Sequence, residues 1–282
     1  MVRVTGSARR KVRRAQSSGR QAADSPYMSM LARAGLAARG VMYVIIGWIA
    51  LEIAFGHSSQ QADRTGALRL VAKTPFGSFA LWLLVIGFTG MALWRLSEAL
   101  WGAPGPGGHK AGKRLAALAR TIFYGAVAYS VLKYALGLGA PASTDTQSQD
   151  LTATVMHHPG GKLLVAIIGV AFAAGGAALA YKAWKKEFLR NLRLGSASPA
   201  TRRVVVRLGQ IGGVSRGTVF ATAGIFLVVA AITAQPGQAK GIDSSLRALA
   251  GTPLGPWLLA LVAVGLIVFG IYSFCESRWR NV

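Results

Sequence analysis

Charge is scarce in this 282-residue chain, and negative charge is scarcest. Only 15% of the residues are charged, and 9 Asp and Glu stand against 32 Lys and Arg, for a net charge of +23. Soluble domains carry charge on about a quarter of their residues. With 52% hydrophobic residues and a mean hydropathy of +0.42, the chain has too little polar surface to cover a globule in water. These values exclude a soluble nucleic-acid-binding protein and predict that much of the chain is solvated by lipid.

Residues that commonly carry chemistry are also scarce. Cys275 is the single cysteine, so the chain forms no internal disulfide. The four histidines, at positions 57, 109, 157 and 158, are not spaced like a metal site. The sequence contains no phosphate-binding loop, no zinc-protease motif, no paired carboxylates and no nucleophile with a base beside it. We therefore expect neither enzyme activity nor a metal or cofactor.

Six apolar stretches are present, and each is close to the ~20 residues that a helix needs to cross a bilayer. They lack the alternation of a strand, and the backbone of a lipid-exposed segment must satisfy its own hydrogen bonds. The sequence therefore predicts an all-α membrane protein with six transmembrane helices. The stretches cover residues 36–56, 76–100, 115–138, 163–183, 212–234 and 254–275.

The distribution of basic residues predicts the orientation. The two ends of the chain and the second and fourth connections together hold 21 Lys and Arg, whereas the other three connections hold 6. The positive-inside rule therefore places both termini in the cytoplasm. Residues 1–33 are polar and basic, and we expect a disordered cytoplasmic tail that contacts anionic lipid. A nucleic-acid-binding arm is the weaker alternative for this segment, so no nucleic-acid partner is expected.

The six stretches repeat in pairs. Arg39, Arg120 and Arg216 each have a small residue immediately before them and an aromatic residue four positions later. The second stretch of each pair follows a proline, at position 75, 159 or 253, and a short amphipathic segment precedes each proline. This pattern predicts three parallel hairpin repeats, over residues 34–101, 115–194 and 202–280, around a pseudo-threefold axis. The second repeat includes a basic amphipathic helical extension over Lys182–Leu194, which we expect to lie on the inner headgroup layer. The alternative is a docking helix for a cytosolic protein partner.

The repeats resemble a bacterial membrane family catalogued as domain of unknown function 1206. The segments Ala38-Arg39-Gly40-Val41-Met42-Tyr43, Thr74-Pro75-Phe76-Gly77 and Ser215-Arg216-Gly217-Thr218-Val219-Phe220 carry the resemblance. The second repeat departs from this pattern, with Thr121 in place of the glycine and Lys182 in place of an acid. The resemblance implies a multi-pass protein of the bacterial plasma membrane and supplies no catalytic residues.

The repeated arginines are the first candidate site. A guanidinium facing the protein at this depth is suited to binding a lipid phosphate or an anionic solute. The alternative is a pair with the acid at the end of the same hairpin, Arg39 with Glu98 and Arg216 with Glu276. The second repeat would instead place Arg120 opposite Lys182, which makes those two residues the expected anion site.

A second candidate is an ion pair between repeats. Glu52 and Lys133 each lie thirteen residues after the repeat's arginine, toward the outer side. Opposite charges at equivalent positions of consecutive repeats favour a contact, although both side chains could instead reach the outer headgroups. A proton or ion pathway through these two positions is the weaker alternative.

These features favour a non-catalytic envelope or regulatory scaffold that contacts anionic lipids. A small permease or channel using a cleft between repeats is the alternative. Transport would be favoured by helices broken near the middle of the bilayer. The sequence offers none, because no proline lies in the middle of a predicted span.

Overall fold

A computed structural model describes residues 25–56, 60–102, 110–139, 141–195, 197–250 and 254–280. Within these ranges the chain forms nine α-helices and two short 3₁₀ segments. Three of the helices are short and six are long. They are α1 (Pro26–Ala54), α2 (Arg64–Ala72), α3 (Gly77–Trp101), α4 (Ala111–Ala135), α5 (Thr144–Met156), α6 (Gly161–Trp184), α7 (Pro199–Thr233), α8 (Ile242–Ala250) and α9 (Gly255–Trp279).

The six long helices are the membrane spans. Each has at least 24 residues and contains an 18-residue window with mean hydropathy between 1.5 and 2.5. At 1.5 Å per residue, 24 residues extend about 36 Å, which is enough to cross ~30 Å of hydrocarbon. The protein is therefore an all-α membrane protein built from three parallel hairpins, α1 with α3, α4 with α6, and α7 with α9.

The two faces of the bundle differ. An even number of spans returns the chain to the side from which it started, so α1 begins and α9 ends on one side, which we call the terminal face. The short helices α2, α5 and α8 lie on the opposite side, the cap face. Each precedes the second helix of a hairpin, where the sequence predicts short amphipathic segments.

Local capping sets where α1 begins. The Ser25 hydroxyl accepts a hydrogen bond from the Met28 amide at 3.2 Å, and Pro26 occupies the first turn. A serine cap followed by proline is a strong helix start. The predicted disordered tail over 1–33 is therefore wrong for residues 26–33, which belong to α1. Residues 1–24 of that predicted tail lie outside the described residues.

The long helices pack in a curved row, and its closest contacts lie between neighbouring repeats. The order around the bundle is α4, α3, α1, α9, α7, α6. A Cβ at Gly40 of α1 would lie 2.9 Å from the carbonyl oxygen of Gly270 on α9, and one at Gly176 of α6 would collide with the amide nitrogen of Ala221 on α7. Glycine is needed at these positions because the helix backbones nearly touch.

The hairpin of the second repeat stays open. In the first repeat, Gly35 on α1 packs against Gly87 on α3. In the third repeat, Gly212 on α7 packs against Phe269 on α9, and Gly265 on α9 packs against Ser215 on α7. The corresponding positions in the second repeat are alanines, Ala116 on α4 and Ala171 on α6, and both are exposed. Helices α4 and α6 make almost no backbone contact, which leaves a lateral gap between the two ends of the row.

The predicted amphipathic extension over Lys182–Leu194 is not a helix that continues the span. Helix α6 ends at Trp184, Lys186 adopts a left-handed backbone conformation, and a 3₁₀ turn follows over Glu187–Asn191. The turn directs Phe188 against Tyr272 of α9, with ring centroids 5.3 Å apart. Burial of these apolar side chains on α9 is the physical reason that the chain folds back here.

We predict that Gly176→Ala destabilises the bundle by about 1–3 kcal/mol, because the added methyl group collides with α7. The neighbouring variant Gly175→Ala is the matched control, since a Cβ there meets no atom within 4 Å. It should be neutral or stabilising by up to ~1 kcal/mol from helix propensity. Reversible unfolding in mixed micelles measures both values, and equal effects would show that α6 and α7 are not in close contact.

Candidate functional site

Arg39 is a buried arginine at the centre of a polar cluster near the terminal face. Its guanidinium donates to the Ser273 hydroxyl at 3.2 and 3.1 Å and to one carboxylate oxygen of Glu276. The other carboxylate oxygen of Glu276 accepts from Arg280. Both Ser273 and Glu276 belong to α9, so the glycine contact between α1 and α9 is what brings this pair together.

The predicted pairs within hairpins are wrong. Glu98, the expected partner of Arg39, instead accepts from Arg95, three residues earlier on the same helix, at 2.5 Å. Glu276, the expected partner of Arg216, binds Arg39 and Arg280. The reason is that the neighbouring repeats approach more closely than the two helices of one hairpin, so the acid of the third repeat meets the arginine of the first.

Arg216 differs from Arg39 in having no carboxylate partner among the described residues. Its Nε donates to the Tyr43 hydroxyl at 3.1 Å, and its guanidinium carbon lies 5.1 Å from the ring centroid of Phe269 and 5.3 Å from that of Phe220. Aromatic faces attract a cation, but they do not neutralise its charge. Arg216 is half-buried, so it can still accept an anion from outside the protein.

Positive charge exceeds negative charge throughout this cluster, which we call the arginine cluster. Its guanidinium groups belong to Arg39, Arg95, Arg216 and Arg280, and its carboxylates to Glu98 and Glu276. Arg95 and Arg280 are held together by the Trp94 ring, at 3.9 and 5.1 Å from its centroid. Four cations and two anions leave an excess of two positive charges.

The predicted anion site at Arg120 and Lys182 is not assembled. Both side chains are exposed. They lie on α4 and α6, the two helices that scarcely contact each other. Of the three repeated arginines, Tyr43 and Phe269 connect only Arg39 and Arg216. Arg120 acts on the cluster through repulsion between its charge and that of Arg95.

The predicted ion pair between Glu52 and Lys133 is wrong. Glu52 accepts a hydrogen bond from the Trp48 indole nitrogen at 2.9 Å, one turn earlier on α1. Lys133 is exposed on α4 and makes no ion pair with Glu52. Helix α3 lies between α1 and α4 in the row, and Glu52 is engaged on its own helix instead of across repeats.

A central cavity of about 570 Å³ adjoins the arginine cluster. All six long helices line it, through Met42, Phe88, Val127, Ile168, Val219 and Leu266 among others. Arg39 and Arg216 lie at its end toward the terminal face, and Arg64 and Lys240 lie at its end toward the cap face. Among the described residues its wall contains these four cations and no carboxylate.

Three aspartates on the cap face close that end of the bundle, and sequence reasoning missed their role. Asp63 accepts from the Thr144 amide at 2.8 Å, Asp145 from the Ser244 hydroxyl at 2.6 Å, and Asp243 from the Ala62 amide at 2.7 Å. Each repeat thus provides an acid that binds the next repeat in a closed circle. The available signal was that three of only nine acids lie at or near the start of the three short helices.

Burial shifts the ionisation of two groups on the cap face. It raises the pKa of Asp243, although hydrogen bonds from Ala62 and Arg247 oppose the shift. It lowers the pKa of Arg64, and the charge of Asp63 only partly compensates. The Nε of Arg64 is buried without a hydrogen-bond partner, so the cap end of the cavity also has an unsatisfied donor.

The described residues include no cluster of three His, Cys, Asp or Glu side chains that could hold a metal. His158 contacts the Thr154 carbonyl oxygen at 3.0 Å. His57 and His109 lie outside the described residues.

We predict that Glu276→Gln destabilises the protein by about 3–5 kcal/mol, because it leaves the buried Arg39 without a carboxylate. Arg39→Gln should cost less, since Glu276 keeps its pair with Arg280. The double variant should cost much less than the sum of the two. A double-mutant cycle on the free energy of unfolding measures the coupling. The matched cycle of Arg39 with Glu98 should give a smaller coupling energy. A larger one would show that Arg39 pairs with Glu98 of its own hairpin instead.

Comparison with known proteins agrees with this architecture. The family described as Domain of Unknown Function (DUF1206) matches the chain three times, over residues 34–102, 115–186 and 211–280. The chain is 26% identical over 259 residues to "Uncharacterized protein YxxB" of Bacillus subtilis (strain 168), which covers 91% of this chain and 93% of that protein. No solved structure matches. Three family repeats, each coinciding with one helical hairpin, assign the chain to the DUF1206 family of membrane proteins.

Proposed function

We propose that this protein is a non-catalytic scaffold of the bacterial plasma membrane, with both termini in the cytoplasm, that binds anionic lipid at the arginine cluster. The observation that carries the proposal is the state of Arg216. Its guanidinium lies inside a span. Among the described residues, its neighbours are aromatic rings and it has no carboxylate partner.

Electrostatics favours an anion at this position. Charged groups within a bilayer are costly unless they are paired, and the cluster holds four guanidinium groups against two carboxylates. A lipid phosphate supplies the missing charge, and guanidinium groups bind phosphate through strong charge-assisted hydrogen bonds. Arg216 is close enough to the terminal face for a headgroup to reach it, because the apolar stretch of α7 begins only four residues earlier, at residue 212, and the preceding part of the helix, from Pro199, is rich in basic residues.

The charge of the terminal face supports the orientation. Many exposed cations project from it, including Lys110, Lys182, Lys185, Lys186, Arg190, Arg202, Arg203 and Arg207. Basic side chains beside a span favour the cytoplasmic leaflet, which carries anionic lipid.

A small permease is the second candidate, and the central cavity favours it. Flux of a solute through reconstituted vesicles would distinguish transport from binding. The scaffold is preferred because each described span is a continuous helix, whereas substrate sites in transporters are typically formed by interrupted helices.

We predict that Arg216→Gln weakens binding of phosphatidylglycerol about tenfold or more. The reason is that a charged hydrogen bond contributes roughly 1.5–3 kcal/mol, and 1.4 kcal/mol is a factor of ten in affinity. Native mass spectrometry of retained lipid measures the change. Arg207→Gln, which removes an exposed cation from the same helix, should change retention only slightly. Equal losses in both variants would reduce the effect to net charge and contradict a specific site.

We predict that a cysteine at Lys110 reacts with a membrane-impermeant thiol reagent only in inside-out vesicles, and that one at His158 reacts only in cells stripped of their wall. Both positions are exposed, on the terminal and cap faces respectively. A Cys275→Ser background removes the single native thiol. The opposite labelling pattern would reverse the proposed orientation.

A further inference from the structure

The central cavity is larger than a headgroup site requires. It extends from the arginine cluster at one end to Arg64 and Lys240 near the cap face. Between these ends its wall is mainly aliphatic and aromatic, contributed by residues such as Ile46, Val165 and Leu227. A volume of about 570 Å³ falls within the range of sites that enclose a small organic ligand.

The cavity has a side that faces the bilayer. Its wall includes Phe123 and Val127 of α4 on one flank and Ile168 and Phe172 of α6 on the other. These two helices form the open hairpin of the second repeat. Phe123 lies twelve residues after the start of α4 and Phe172 twelve residues before the end of α6. Both are therefore about 18 Å from the terminal ends of their helices, and they flank the gap at one depth.

The gap is specific to the second repeat. Glycine contacts close the hairpins of the first and third repeats, and the second has exposed alanines, Ala116 and Ala171, at the same positions. The repeat that departs most from the shared pattern is thus the one that gives the cavity access to the hydrocarbon. An aqueous solute would have to cross lipid to reach this opening, whereas a lipid chain is already beside it.

We propose that the central cavity holds one hydrocarbon chain of an anionic phospholipid whose phosphate binds Arg216, and that the chain enters sideways between α4 and α6. This inference rests on the proposed function for the headgroup and adds the position of the chain and its route. The wall suits this occupant, because Arg216 lies at the terminal end for the phosphate, the middle is apolar for the chain, and the described wall residues include no carboxylate to repel a phosphate.

The position of the chain is tested with phosphatidylglycerol that carries a photoreactive diazirine at the end of one chain, in nanodiscs. We expect adducts on cavity residues such as Leu227 of α7. Adducts confined to outward-facing residues, such as Ile225 on the same helix, would overturn the inference. Excess inorganic phosphate present during illumination should not lower the yield of these adducts, and a lower yield would indicate an anion site without a chain.

A pair of matched variants tests whether the cavity itself is occupied. Ala223→Trp fills the cavity from α7, whereas Ile225→Trp adds the same side chain on the lipid-facing side of that helix. Ala223→Trp should reduce adducts inside the bundle at least fivefold, and Ile225→Trp should leave them unchanged. If Ala223→Trp does not fold, the positions of the adducts on the unaltered protein still decide whether the cavity is occupied. Adducts that persist in a folded Ala223→Trp variant would contradict occupation of the cavity.

The route is tested by bridging the gap. Cysteines at Phe123 and Phe172 in a Cys275→Ser background are joined in detergent with a bifunctional maleimide. After reconstitution, the bridged protein should acquire the photoreactive lipid at least tenfold more slowly than either single-cysteine protein treated with the same reagent. An unchanged rate would overturn the lateral route. If Arg216→Gln abolishes lipid retention but the chain is never found in the cavity, the inference fails while the proposed function stands.

Discussion

The contact between the first and last spans is the constraint on which the rest of the structure depends. Gly40 and Gly270 let the backbones of α1 and α9 approach until a single Cβ would collide. At that separation the Arg39 guanidinium reaches Ser273 and Glu276. Burial of this ion pair inside the membrane is tolerable only because each charge is satisfied by the other and by further hydrogen bonds. Because Glu276 pairs with Arg39, it is not available to Arg216, the arginine of its own hairpin.

The contact between α1 and α9 therefore also determines the surroundings of Arg216. With Glu276 engaged by Arg39 and Arg280, it is surrounded by aromatic rings and a phenol rather than by an opposite charge. The protein retains this unneutralised cation at the end of an apolar cavity, where a lipid phosphate can complete the cluster. In this arrangement the same ionic groups determine the stability of the bundle and, in the proposed function, the binding of lipid. Because Glu276 pairs with Arg39, Arg216 is the arginine that lacks a carboxylate partner among the described residues.

Departure from symmetry opens the bundle on one side. Three equivalent repeats would close all three hairpins and leave no access to the axis. The cap face keeps the threefold relationship, since Asp63, Asp145 and Asp243 each bind the next repeat. Within the membrane the second hairpin lacks the glycine contacts of the other two, so the symmetric cap holds together a bundle that is open on one side. The hydrogen bonds of the cap face thereby connect all three repeats across the lateral gap.

The sequence by itself determined the class of protein, the six spans, the three hairpins and the family, because hydropathy and helix length act along the chain and repeat within it. It also identified Arg39 and Arg216 as candidates. It failed on their partners, on Glu52 with Lys133, and on the segment after Trp184. Which charges meet depends on which helices lie side by side, and spacing within one hairpin carries no information about contacts between repeats. Only the tertiary structure decided these points. The glycine contact between α1 and α9 brings Glu276 to Arg39, and the glycine contact between α6 and α7 places α6 beside the third repeat, so that the second hairpin stays open.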